Sequence, residues 1–117
     1  MQPEAAAYLW DAREAAQRVT EFISGLDETG YRSDALRRSA VERQLEIVGE
    51  ALNNLRRVDA ETADGVPDLH RIVGLRNVLA HGYAVVDDGV VWAAASERVP
   101  ELVTYLGLLL GEGPSGA

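Results

Sequence analysis

Apolar residues recur at spacings of three and four through separate stretches of this chain, and no strong period-two run interrupts them. That spacing lays one stripe along a helix of 3.6 residues per turn, so the pattern predicts an all-α fold. The first stripe is Tyr8, Ala12, Ala15, Val19, Phe22 and Leu26. Pro3 suits its first helical position, where a missing N–H costs nothing, and Gly25 with LDETG closes it. A second helix is expected from Ser33-Asp34 to about Val58, with Val41, Leu45, Val48, Leu52 and Leu55 as its core side.

Beside that core side, one position on, runs Glu42, Glu46, Gly49, Asn53 and Arg56. A glycine inside a helix costs about 1 kcal/mol relative to alanine. Gly49 therefore marks either the close approach of another helix or chain, or a solvated face that tolerates it, and the sequence leaves both open. After the polar run DAETADG, a third helix is expected from Val66-Pro67-Asp68, with the proline in its first turn and Leu69, Ile72, Leu75 and Leu79 buried. His81-Gly82 offers a left-handed C-terminal cap. A last helical region runs from about Val90 to Leu110, capped by Asp87 or Asp88, and Pro100 must kink it or split it. The expectation is a bundle of four or five helices in one domain over residues 1–111, with a flexible tail over 112–117.

With 117 residues, 47% of them hydrophobic, the chain can bury one real core and not two. It contains no cysteine, which removes disulfides, thiolate metal sites and thiol nucleophiles. No apolar run approaches the roughly 18 to 20 residues of a membrane span, and MQPEAAAYLWD lacks the order of a signal peptide, so a cytoplasmic protein is expected. The net charge of −8 argues against general affinity for nucleic acid. Its distribution qualifies that argument: between Tyr31 and Arg76 eight arginines balance eight acids, and the acidic excess lies elsewhere. All eleven basic residues are arginine, which genome composition accounts for as readily as phosphate recognition does.

Chemistry concentrates in RIVGLRNVLAHGY, from Arg71 to Tyr83. Arg76, Asn77, His81 and Tyr83 bring a fixed cation, an amide, an imidazole and a phenol close together. Residues five apart on a helix are separated by about 140° around its axis, so Arg76 and His81 do not share a face. They cooperate only if the helix stops before His81, or if two copies meet across a symmetric dimer. Such a cluster suits cleavage of RNA by its own 2′-hydroxyl: two imidazoles exchange protons and an arginine clamps the phosphate. The two histidines, eleven apart, form no metal-binding spacing. Spacing alone favours a plainer reading, in which cations sit at a helix C-terminus for about 0.3 to 1 kcal/mol. His70 reads as a surface residue, Trp10 and Trp92 as core or interface anchors rather than base-stacking platforms, and Asp87-Asp88 as cap or turn residues.

RNVLAHGY matches R-x-x-x-x-H-x-Y, and the chain resembles the HEPN superfamily, in particular the HepT-like toxins paired with a MntA-like minimal nucleotidyltransferase. YLWDAREAAQRVTEF, AVERQLEIVGEAL and VVWAAASERVPELV extend the resemblance over nearly the whole chain. It implies a HEPN-type bundle, a homodimer and a metal-independent endoribonuclease with no cofactor, acting on RNA as the toxin of a type VII toxin–antitoxin system. Arg76 and His81 become the catalytic pair, contributed by both subunits, and Asn77 an auxiliary polar group. Tyr83 becomes the acceptor of AMP from a MntA-like antitoxin. Two features depart from the pattern: Gly82 stands where many relatives carry an acidic or polar residue, and the overall acidity implies weak, salt-sensitive RNA binding. A non-catalytic helical subunit that docks on the nucleotidyltransferase is the alternative, and a purely structural dimerisation domain a third.

Overall fold

The computed structural model describes residues 1–82 and 86–111, and among them every regular element is helical. Helix α1 spans Pro3–Ile23, α2 Glu28–Arg32, α3 Ala35–Val58, α4 Ala60–Asp64 and α5 Leu69–Ala80. Helix α6, Asp88–Ala93, passes through a π-helical turn, Ala94–Arg98, into α7, Val99–Leu109. The tail expected over 112–117 lies outside the described residues.

Side-chain caps set several of the helix starts, as the sequence implies. The Asp34 carboxylate accepts from Arg37 N–H at 3.0 Å to start α3, and Asp87 accepts from Gly89 and Val90 N–H at 2.9 and 3.2 Å to start α6. Two short helices arise where the sequence promised only linkers. Asp27 caps α2 through Gly30 N–H at 2.7 Å, and Asp59 caps α4 through the Thr62 amide and hydroxyl at 3.1 and 2.7 Å. Those same two bonds hold the Asp59 carboxyl below its ordinary pKa.

One expectation is corrected and one open alternative resolved. Pro67 is not in the first turn of α5; it lies in a turn ahead of it, because Asp68 adopts a left-handed conformation (φ 58°) and Val66 is drawn into the core. Of the two outcomes open at Pro100, splitting of the last helix is not the one observed. The backbone stays helical from Asp88 to Leu109, and the wider π turn just ahead of Pro100 accommodates a ring and a missing N–H that a tight helix rejects.

Helix α1 packs along α3 and α7, and α3 along α5. The core holds Val19, Val41, Val48, Leu52, Leu55, Val91, Leu102 and Leu106 of the predicted stripes and also Leu9, which the first stripe passed over for its half-buried neighbour Tyr8; these eight and Leu9 are at most 1% exposed. Short α2 contributes Tyr31, which is fully buried with its ring centroid 5.5 Å from that of Trp92. The molecule is a slab of 41 × 35 × 18 Å, less than two helix diameters thick, so α5 keeps one side at the surface. Among the described residues no helix is long and apolar enough to cross a membrane.

Partial burial, with Asp88 nearby, raises the pKa of Glu42 on α3, and Arg38 offsets only part of the effect. The folded state therefore binds this proton more tightly than the unfolded chain does, and stability falls as pH rises from the ordinary glutamate range through the raised value. Glu42→Gln is expected to raise the melting temperature at neutral pH, a gain that shrinks as pH falls into the ordinary glutamate range. Thermal melts across that interval check it.

Candidate active site

Helix α5 carries the site at its C-terminal end. It leaves the core stripe of α3 in contact with Leu69, Ile72 and Val73, and this phase turns Arg76 onto the adjacent flank of α3. Gly49 lies there. A β-carbon at position 49 would sit 2.2 Å from Arg76 Cβ and 3.2 Å from the Ile72 carbonyl oxygen. The mid-helix glycine is thus explained by the approach of a helix, and the notch it leaves receives the stem of Arg76.

The guanidinium is fixed at two points. It pairs with the Glu50 carboxylate, and its Nη1 donates to Asn77 Oδ1 at 2.8 Å. An arginine has five N–H donors in a rigid fork, so these two bonds orient the group and leave other donors for a phosphate. With 25% of its side chain exposed, Arg76 remains accessible from a groove of about 380 Å³ between α1 and α3.

Helix α5 ends at Ala80, just ahead of His81, whose own backbone keeps the right-handed helical conformation (φ −89°, ψ −2°). His81 is the C-cap residue and exposed; its amide donates to the Asn77 carbonyl at 3.2 Å. Gly82 follows at φ +60°, the left-handed cap that the sequence implies. Arg76 and Asn77 are therefore joined directly, with His81 at the end of the same helix. Tyr83 lies outside the described residues. Among the described residues, no group of three or more His, Asp or Glu side chains is placed to hold a metal ion.

Other candidates separate. His70 is exposed near the start of α5, as expected of a surface residue, and Asp87 serves as a cap. Trp92 is half-buried against Tyr31, whereas Trp10 is 51% exposed and does not belong to the core. Glu50 escaped the sequence reading. Its one signal was its place beside Gly49, since a residue next to a close-approach glycine meets whatever approaches.

Gly49→Ala is expected to wedge α3 from α5. Overpacking of this kind costs about 1 to 3 kcal/mol, against about 1 kcal/mol gained from alanine's helix propensity. If Arg76 is the working cation that the resemblance implies, displacing it should also lower activity about tenfold or more, because small misplacements of a positioning group are expensive. Melting temperature and activity, measured on the same preparation, check both effects.

The family model described as Ribonuclease HepT-like matches residues 12–108. "Putative RNase MJ1380" of Methanocaldococcus jannaschii is 36% identical over 96 residues, covering 82% of this chain and 87% of the relative. "Probable ribonuclease HepT" of Thermococcus cleftensis is 32% identical over 95 residues, 81% of this chain and 86% of the relative. "Putative RNase TTE0752" of Caldanaerobacter subterraneus is 30% identical over 95 residues, 81% of this chain and 84% of the relative. No solved structure gives a significant match.

Proposed function

The chain belongs to the HepT-like ribonuclease family and is an endoribonuclease, and from that premise we propose that it cleaves RNA without a metal at a composite site built by two copies. The observation that carries the reading is the mounting of Arg76: its stem is seated in the Gly49 notch and its guanidinium aimed by Glu50 and Asn77, at the helix end that also bears His81.

In this mechanism one His81 imidazole accepts the proton of the 2′-hydroxyl as that oxygen attacks the adjacent phosphorus. The other copy's His81, protonated, donates to the departing 5′-oxygen. The phosphorus–O5′ bond breaks as the phosphorus–O2′ bond forms, leaving a 2′,3′-cyclic phosphate and a 5′-hydroxyl. Arg76 neutralises the charge that builds on the non-bridging oxygens in between.

The surface left by the fold supports the second copy this reading requires. Helix α5 packs chiefly on α3, and its half-buried Leu75 and Val78, with Val90 at 52% exposure, border an apolar cavity of about 320 Å³. An apolar face of this kind supports self-association across a two-fold axis.

The chain acts in the cytoplasm as the toxin of a type VII toxin–antitoxin pair. A MntA-like nucleotidyltransferase silences it by transferring AMP to Tyr83, two residues beyond His81. The adenylyl phosphate brings bulk and negative charge to the end of α5 and competes with the RNA phosphate for Arg76. Expression alone should arrest growth, and co-expression with the nucleotidyltransferase should relieve the arrest and add the mass of at least one adenylyl group at Tyr83. A chain that leaves growth and RNA untouched yet binds the nucleotidyltransferase would establish the non-catalytic binding subunit instead.

A further inference from the structure

We propose that the groove between α1 and α3 binds a nucleotide of single-stranded RNA beside the scissile phosphate, with its base stacked on Trp10. The inference rests on the ribonuclease reading above and extends it to a substrate subsite.

Trp10 follows Leu9, one position off the buried stripe of α1, and this phase sets its indole on the rim of the groove that Arg76 also lines. At 51% exposure it is the largest apolar side chain left at the surface, and an indole face stacks any base. The cavity of about 380 Å³ lies in the range of pockets that hold small ligands, and a nucleotide fits that class.

The charges around it select the form of nucleic acid. Arg18, Arg43 and Arg76 line the groove together with four carboxylates, those of Asp11, Glu14, Glu46 and Glu50. A duplex keeps its Watson–Crick amino and imino groups paired within the stack and turns chiefly phosphate and sugar toward such a surface, where the carboxylates meet like charge. An unstacked strand presents phosphate to the arginines and base amino and imino N–H groups to the carboxylates. Arg43 is well placed for exchange, being 67% exposed and only loosely paired to Glu46 at 3.7 Å.

The test uses the full-length chain and a short single-stranded oligonucleotide with 2′-deoxy sugars, which binds but lacks the nucleophile. Trp92 is packed on Tyr31, so Trp10 is the accessible reporter of the two tryptophans. The oligonucleotide is expected to quench fluorescence saturably, and Trp10→Phe to remove most of that quench while retaining binding by anisotropy. Trp10→Ala should weaken binding, and raise KM for cleavable RNA, by about tenfold or more, the effect of losing one stacked base; the loss appears in KM rather than kcat. Unchanged affinity and KM in Trp10→Ala overturn the proposal. So does a shift of its sedimentation coefficient to that of a smaller species, which would assign Trp10 to contact between copies. Quenching without cleavage in any preparation upholds the subsite and overturns the ribonuclease reading; cleavage indifferent to Trp10 does the reverse.

Discussion

Arg76→Ala is expected to slow RNA cleavage by about 10²- to 10³-fold, the usual consequence of removing one donor aimed at a charge that develops in the transition state. Stability should hardly move. The lost ion pair is with Glu50, whose side chain is 47% exposed, and partly exposed pairs contribute little. Truncation at Cβ leaves the Gly49 contact itself in place, because that contact is made first by Arg76 Cβ. Arg76→Lys restores the charge without the planar fork that donates to Glu50 and Asn77 while facing a phosphate, so it should recover only a small part of the rate. Cleavage rates beside thermal melts of the three proteins separate a chemical role from a structural one.

His81→Ala is expected to cost about 10²- to 10⁴-fold in cleavage, the range for loss of a general acid or base. The competing reading of His81 is a cation at a helix C-terminus. That role predicts a loss of at most about 1 kcal/mol in stability and none in rate. Because His81 is exposed at the cap of α5, the two roles give opposite outcomes in one variant. A stable protein with abolished cleavage supports the catalytic role, whereas a slightly destabilised protein that cleaves normally supports capping. If two copies share the site as proposed, the substitution removes the general base and the general acid together, so His81→Ala should be the more damaging of the two.

Much of the fold was legible because helix periodicity and capping are local. The stripes through Leu45, Leu52 and Leu102, the caps Asp34 and Asp87, and the left-handed Gly82 all follow from spacing or from one side chain reaching its own backbone. What escaped depends on neighbours. Short α2 and α4 have too few residues to show a period, and they exist because Asp27 and Asp59 cap them and Tyr31 and Ala63 anchor them in the core. The left-handed turn at Asp68, which displaced Pro67 from α5, is set by the burial of Val66 on one side and Leu69 on the other.

The site divides in the same way. Arg76, Asn77 and His81 stand together in the sequence, but their chemical weight came from the resemblance, since five-residue spacing alone suits a helix cap equally well. Their mounting is tertiary. A periodic stripe states which residues share a face of α3 and not which helix covers it, so the pairing of Gly49 and Glu50 with Arg76 emerged only once α5 was seen packed on α3. Trp10 shows the limit from the other direction: one residue off a buried stripe, an indole can be core or rim, and only the packing of α1 on α3 places it on the rim.

The most direct measurement is the chemistry of the ends left on RNA by the purified chain, free of nucleotidyltransferase and in the presence of a chelator. The account predicts a 2′,3′-cyclic phosphate on one fragment and a 5′-hydroxyl on the other, with no cut at a 2′-deoxy position and none by Arg76→Ala. Fragments ending in a 3′-hydroxyl, cleavage that a chelator abolishes, or undiminished cleavage by Arg76→Ala would contradict it.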